Sequence, residues 1–213
     1  MRWKAAIFDW DGTLADSMWV WDHLLIDFLA GYGYDTPEKV LNDIAHMTVS
    51  QSSAYIESLY HLPMTAEEIC QEWTDMVYDR YANDVKLKPG AKEYLAYLKE
   101  KGIKIALATA CARELCEACM ANNDVRKYMD VVTYADEVGR GKSDPAIYLE
   151  TLRRLGARAE ETMLFEDILT ALKTGKKVGL SVTIVEDAGA AKEREILKQQ
   201  ADIYICDYYE LLK

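Results

Sequence analysis

The sequence predicts an α/β protein with two parts: a Rossmann-like parallel sheet with helices on both faces, and an inserted all-α helical cap. Three observations lead to this prediction. A short apolar run at residues 5–8 opens the chain, residues 16–85 show helical patterns and no convincing strand, and helices alternate with short apolar runs from residue 88 onward. Such alternation is typical of βαβ units around a parallel sheet.

The first element is a strand over residues 5–8. Four apolar residues there precede a turn signal, Asp9-Trp10-Asp11-Gly12-Thr13, which suits a strand buried on both faces. Asp9 and Asp11 then lie at the carboxyl edge of the sheet, where open α/β sheets bind ligands. Two neighbouring carboxylates repel each other unless a cation lies between them, and Mg²⁺ is a natural candidate. An acidic turn that merely closes a strand is the other interpretation of this motif alone.

The second stretch, residues 16–85, is predicted to form the cap domain. Its helices are predicted from capping residues followed by helical apolar spacing. The predicted caps are Asp16 or Ser17, Thr36, Ser50 or Ser52, and Thr65. The core domain is then discontinuous and comprises residues 1–15 and 86–213, with the boundaries at residues 15–17 and 85–89.

The third stretch alternates helices and strands to the end of the chain. Strands are predicted at residues 103–108, 131–134, 162–165, 181–185 and 203–206, and helices at residues 91–101, 113–121, 145–155, 169–177 and 190–198. Polar residues stand at or near several strand ends. Because parallel strands end at the same edge of a sheet, we expect one cluster there. Its expected members are Asp9, Asp11, Thr109, Lys142, Glu166 and Asp167.

Composition limits the possible partners. The chain has 36 acidic and 25 basic residues and a formal net charge of -11, which disfavours nucleic acid and anionic membranes as partners. Its five cysteines are an odd number and indicate free thiols in a reducing cytoplasm. Charged residues interrupt the most apolar segment, residues 18–29, so it cannot span a bilayer. We expect a soluble cytoplasmic protein, with a monomer as the default state.

Four motifs occur in a characteristic order along the whole chain: Asp9-Trp10-Asp11-Gly12-Thr13, then Thr109, then Lys142, then Glu166-Asp167. In this the sequence resembles the haloacid dehalogenase-like hydrolase superfamily. The resemblance is to its phosphatases and β-phosphoglucomutase-like phosphohexomutases, which carry a small helical cap after the first strand. It implies a Mg²⁺-dependent enzyme that transfers phosphoryl groups.

The resemblance also assigns catalytic roles to individual residues. Asp9 matches the nucleophile that forms an aspartyl-phosphate, and Asp11 matches the general acid and base. Thr109 and the amide of Ala110 would hold phosphate oxygens. Lys142 would neutralise charge and steady Asp9, as phosphoryl transfer requires.

A metal site is implied in the same way. Mg²⁺ would be bound by the Asp9 carboxylate, the Asp11 backbone carbonyl and Asp167, with waters completing its octahedron. For Glu166 we expect a structural role, such as pairing with Lys142 or capping the following helix.

The leading interpretation is a phosphatase of a small phosphorylated metabolite, such as a sugar or polyol phosphate. A phosphohexomutase is the alternative, but residues 46–55 contain no Arg or Lys to hold a second phosphate, and Trp21 stands where such mutases carry a His. A non-catalytic binding protein on the same fold is a further alternative. Trp21 either packs or lines the pocket, and His46 faces either the substrate or the surface.

Overall fold

A six-stranded parallel sheet forms the centre of the computed structural model, which describes residues 3–44 and 47–212 apart from the side chain of Asp22. His46 lies outside these ranges. The strands are β1 (Ala5–Phe8), β2 (Lys104–Thr109), β3 (Val131–Tyr134), β4 (Thr162–Glu166), β5 (Ser181–Val185) and β6 (Ile203–Ile205). Their order, β3-β2-β1-β4-β5-β6, confirms the predicted Rossmann-like sheet. Strands β1 to β3 are added toward one edge of the sheet and β4 to β6 toward the other, so the strand order reverses between β1 and β4, and ligands of such sheets bind at that point.

The register aligns the ends of the central strands. Phe8, the last residue of β1, lies beside Leu107 of β2 and beside Phe165 of β4. The backbone N–H of Asp9 continues the ladder and donates to the Phe165 carbonyl at 3.0 Å. The residues that follow these strands therefore emerge side by side at one edge.

Helices α1 (Met18–Gly31), α2 (Glu38–Ile44), α3 (Val49–Leu59) and α4 (Ala66–Asp79) follow β1. The helices that alternate with the later strands cover both faces of the sheet: α5 (Ala91–Glu100), α6 (Arg113–Asn122), α7 (Ala135–Val138), α8 (Ala146–Leu155), α9 (Leu169–Val178) and α10 (Arg194–Gln200). Successive β1 residues alternate between two apolar clusters, with Ile7 in one and Phe8 in the other. Within the described residues, no helix combines the length and apolarity needed to cross a membrane.

The described part of residues 16–85 is helical, as the sequence predicts. One boundary differs from the prediction. Helix α3 begins after Thr48 rather than at Ser50 or Ser52, because Thr48 and Gln51 hydrogen-bond each other's backbone N–H in a capping box. Helix α4 ends at Asp79 and continues as a π-helical turn, Arg80–Asp84.

The chain leaves the sheet and returns to it along two adjacent segments. The Asp16 N–H donates to the Lys86 carbonyl at 2.9 Å, and the Lys88 N–H donates to the Leu14 carbonyl at 2.8 Å. The half-buried Lys88 ammonium also forms an ion pair of 2.6 Å with Asp187, which follows β5. The division into a core and a cap at these boundaries stays a prediction.

Candidate active site

A cavity of about 340 Å³ lies at the carboxyl edge of the sheet, between the strand ends and helices α1 to α4. Every residue predicted for catalysis, metal binding or phosphate binding lines it: Asp9, Asp11, Thr109, Ala110, Lys142 and Asp167. The side-chain oxygen of Thr109, which ends β2, already accepts the Cys111 N–H at 3.0 Å. The predicted convergence of these residues is therefore present in the fold.

Asp9 and Lys142 form a buried ion pair at the floor of the cavity. Lys142 also contacts Glu166 at 3.0 Å, and the Tyr148 hydroxyl donates to Glu166 at 2.8 Å. Burial alone would lower the pKa of Lys142, but the carboxylates of Asp9 and Glu166 reverse this and raise it. The expected pairing of Glu166 with Lys142 is confirmed, and the lysine carries its charge at neutral pH.

Asp9, Glu166 and Asp167 could hold a metal ion. One oxygen from each lies within 4.8 Å of the others, and all three side chains are buried. Burial and the charges of Asp9 and Glu166 raise the pKa of Asp167 well above its usual value. The two oxygens of Glu166 already contact Lys142 and Tyr148, which leaves Asp9 and Asp167 as the better placed ligands.

Thr13 joins the two better placed ligands. Its hydroxyl lies 3.3 Å from an Asp9 oxygen and 3.2 Å from an Asp167 oxygen, so it can donate to either. The Tyr208 hydroxyl, near the end of the chain, donates to the Thr13 carbonyl at 3.2 Å. Thr13 is the last residue of the motif Asp9-Trp10-Asp11-Gly12-Thr13. Its place in that motif is the sequence signal that could have identified it as a site residue.

Two features require a glycine at position 12: its backbone conformation and the lack of room for a side chain. Its φ of +74° lies in the left-handed region, and a Cβ there would come 2.4 Å from Oδ2 of Asp167. Any side chain would therefore displace the Asp167 carboxylate from its place beside Asp9.

Asp11 is held by hydroxyl groups from the cap side. Ser17 donates to its Oδ1 at 2.6 Å, Tyr81 donates to the same oxygen, and the indole N–H of Trp21 donates to the Tyr81 hydroxyl. Burial raises the pKa of Asp11, the two hydrogen bonds oppose that rise, and the charge of Asp9 adds to it. A carboxyl with a raised pKa that is fixed through one oxygen is suited to carry a proton on the other.

Tyr81 is not among the predicted site residues, and Ser17 is predicted only as a helix cap. Tyr81 is 70 positions from Asp11, and its helical spacing is that of an ordinary buried cap residue. No local signal distinguishes it. Ser17 is the N-terminal flanking residue of α1, but its hydroxyl binds Asp11 and does not cap that helix.

The side of the cavity formed by residues 16–85, the cap wall, differs from the side formed by the strand ends, the core wall. Trp21 belongs to the cap wall, and its side chain both lines the cavity and packs against the apolar core. Most other side chains of the described cap wall are apolar: Met18, Leu24, Leu25, Leu41, Ile44, Met47, Val49 and Trp73. The polar ones are Asn42 and Ser52.

Comparisons with known proteins identify the family. A family model for haloacid dehalogenase-like hydrolases matches residues 6–185. The chain is 28% identical to a phosphorylated carbohydrates phosphatase of Thermotoga maritima over 177 residues, which cover 83% of this chain and 82% of that protein. It is 26% identical to hexitol phosphatase B of Escherichia coli over 211 residues, which cover 97% and 93% of the two chains.

A solved structure shows the same fold. A CbbY variant from Rhodobacter sphaeroides, in complex with xylulose-1,5-bisphosphate, superposes with a TM-score of 0.86 over 98% of this chain and 96% of that one, at 23% identity. Phosphatases recur among the curated relatives, and the enzyme class of this chain is phosphatase. By its family match, its fold and its four motifs, the chain belongs to the haloacid dehalogenase-like hydrolases, in their branch of phosphatases and phosphohexomutases.

Proposed function

We propose that the protein is a Mg²⁺-dependent phosphatase that hydrolyses a small phosphorylated metabolite through an aspartyl-phosphate intermediate. The observation that carries this proposal is the buried Asp9–Lys142 ion pair with Asp11 beside it in one cavity. The cation offsets the repulsion between a carboxylate and an approaching phosphate. The monomeric state and the cytoplasmic location stay predictions from the sequence.

In the first step an Asp9 oxygen attacks phosphorus and the bond to the ester oxygen breaks. Asp11 gives its proton to that oxygen, so the leaving group departs as an alcohol. Thr109 and the Ala110 amide hold the phosphoryl oxygens, and Lys142 balances their charge. The lining of one cavity by all three residues supports these roles, because positioning is the main requirement of phosphoryl transfer.

In the second step Asp11, now a carboxylate, takes a proton from water. The resulting nucleophile attacks phosphorus and breaks the bond to Asp9, which releases inorganic phosphate and restores both aspartates. Ser17 and Tyr81 support this exchange because their hydrogen bonds hold Asp11 in one place while its protonation changes.

The residues present fit Mg²⁺. Buried carboxylates of Asp9 and Asp167 on either side of the Thr13 hydroxyl are hard oxygen ligands whose mutual repulsion a divalent cation would relieve. We propose that these two carboxylates and the Asp11 backbone carbonyl hold the ion. When bound it would supply positive charge to the phosphoryl oxygens.

A hydrolase is favoured over a phosphohexomutase. A mutase must hold a bisphosphate at both ends, whereas Lys142 is the sole cationic side chain among the described residues that line the cavity. The names of the two curated relatives support phosphorylated carbohydrates as the first substrates to test. A non-catalytic role is disfavoured because a scaffold gains nothing from buried like charges.

The test is release of inorganic phosphate from a panel of sugar, polyol and nucleotide monophosphates, with Mg²⁺ and with a chelator. We expect release that requires Mg²⁺, and we expect Asp9→Asn to lower it by about 10⁴-fold with an unchanged circular dichroism spectrum. Mass spectrometry excludes deamidation of the variant. Wild-type activity in Asp9→Asn would contradict the mechanism. A rearranged sugar phosphate without net phosphate release would establish the mutase, and Mg²⁺ stabilisation without turnover would indicate a binding role.

A further inference from the structure

The two walls of the cavity carry different chemistry. The core wall bears the charged groups Asp9, Asp11, Lys142 and Asp167, which suffice for the phosphate end of a substrate. Among the described residues of the cap wall none is charged. Apart from its tryptophans, the polar residues there are Asn42 and Ser52. The indole N–H of Trp21 is already bound to Tyr81. The organic end of a substrate therefore meets a mainly apolar surface.

The basic side chains of the cap that the structure describes lie outside the cavity. The Lys39 side chain is 80% exposed and pairs with Asp43. The Arg80 side chain is 59% exposed and pairs with Asp84. Neither basic residue lines the cavity. The cap therefore contains basic residues but presents them to solvent, and its side of the cavity is apolar.

An apolar surface binds hydroxylated organic groups more weakly than apolar ones, because buried hydroxyls without a hydrogen-bond partner lower affinity. A sugar or hexitol carries a hydroxyl on nearly every carbon, and each one must exchange water for a protein partner when it is buried. Each hydroxyl left without a partner lowers affinity by roughly tenfold. Asn42 and Ser52 can satisfy one or two such groups, and an apolar body gains affinity by covering the wall.

We infer that the cap selects phosphate monoesters whose organic part is largely apolar and has no more than one or two polar groups. This inference rests on the proposed phosphatase function and narrows its substrate class. Fully hydroxylated carbohydrate phosphates would be weaker substrates, because most of their hydroxyls would face apolar side chains such as Leu25 and Met47.

The test compares cyclohexylmethyl phosphate with glucose 6-phosphate. Both have a six-membered ring that bears a CH₂–O–phosphate group, so they match in size and leaving-group type and differ mainly in hydroxyls. With Mg²⁺ we expect kcat/KM to be about tenfold or more higher for the cyclohexylmethyl ester. Equal or higher efficiency with glucose 6-phosphate overturns the inference alone. No release from either ester overturns the inference alone when other esters of the panel above release phosphate, and no release from any ester overturns the phosphatase function as well.

Variants of the cap wall give a second, independent test. Leu41→Gln and Met47→Gln place an amide on the wall at two half-buried positions, and each should shift the ratio of the two kcat/KM values toward glucose 6-phosphate by about threefold or more. Leu59→Gln is the matched control, because Leu59 is on α3, 48% exposed and outside the cavity lining. Inhibition by inorganic phosphate should stay unchanged in all three. An unchanged ratio in both wall variants, with native circular dichroism spectra, overturns the inference.

Discussion

The core wall and the cap wall of one cavity are built in different ways. The core-wall groups Asp9, Thr109 and Asp167 stand at strand ends, so the hydrogen-bonded register of β1, β2 and β4 fixes their positions through the backbone, and Lys142 reaches them from the loop between α7 and α8. Cap-wall groups project from helices that are joined to the sheet by two segments. Catalysis therefore depends on where the backbone of the sheet places the core-wall residues. Substrate specificity depends on which side chains the helices present to the cavity. Changes on the two walls should therefore have different signatures.

The largest expected effect on the core wall beyond the nucleophile is that of Asp11→Asn. The amide cannot deliver a proton, so kcat/KM for alkyl phosphates should fall by about 10³-fold, and equally for apolar and hydroxylated esters. The loss should be much smaller for 4-nitrophenyl phosphate, whose leaving group departs without protonation. Steady-state kinetics with the three substrates measure this. An equal loss with all three would contradict an acid role for Asp11.

A smaller effect is expected at Gly12. Gly12→Ala would place a Cβ against the Asp167 carboxylate, so we expect the Mg²⁺ concentration for half-maximal activity to rise by about 30-fold. Gly139→Ala is the matched control, because Gly139 has a similar φ of +70° but nothing within 4 Å of the added atom. It carries the same backbone strain without the clash. A similar rise in both variants would show that strain, rather than displacement of Asp167, is the cause.

Tyr81 is one of two residues on the cap side, with Ser17, that donate to Asp11, so its hydroxyl should act on catalysis although it belongs to the cap. Tyr81→Phe removes one donor to Asp11 and should lower kcat/KM for alkyl phosphates by about tenfold, with little change in kcat/KM for 4-nitrophenyl phosphate. Tyr134→Phe is the control, because the Tyr134 ring is also buried and its hydroxyl also binds a carboxylate, Glu117, outside this cavity. A rise in KM with unchanged kcat in Tyr81→Phe would instead assign Tyr81 a role in substrate binding on the cap wall.

The smallest expected effect is on thermal stability. Burial raises the pKa of Glu166 to about 7 and raises that of Asp167. Raised carboxyl pKa values favour the protonated folded state, so this stability is complete below the usual pKa near 4 and is lost as pH rises through about 7. In chelator, Tm should fall by several degrees between pH 5.5 and pH 8, because about 1 kcal/mol corresponds to 2–4 °C at this size.

Mg²⁺ should reverse this loss, because it binds the deprotonated carboxylates. Thermal scans at both pH values, with Mg²⁺ and with a chelator, measure the difference. The gain from Mg²⁺ should be larger at pH 8. An equal gain at both pH values would argue against Asp167 as a ligand.

Much of the core wall could be predicted from the sequence. Apolar runs located the strands, and the shared edge of a parallel sheet then placed Asp9, Thr109 and Asp167 together. The start of α3 could not be predicted in the same way, because Thr48, Ser50 and Ser52 are all acceptable caps. Gln51 decided among them by completing a capping box with Thr48.

Contacts across the cap interface were beyond the reach of sequence patterns. Tyr81 reaches Asp11 only because the π-helical turn after α4 returns to the sheet beside the first motif. Periodicity reports which residues are buried but not which polar atom a buried hydroxyl meets. Asn42 and Ser52 are similar cases, since helical spacing does not show which residues face the cavity.

The paired segments that join helices α1 to α4 to the sheet have a consequence for how such enzymes diversify. Ala15 and Leu87 form an antiparallel bridge, so the two ends of the inserted stretch are direct neighbours on the sheet edge. Neighbouring strands lie about 5 Å apart, a gap that almost any insertion can span. A longer, shorter or differently lined insertion could therefore replace this one without moving the strand ends. Recombination at this junction would exchange one specificity for another while the same catalytic residues are inherited unchanged.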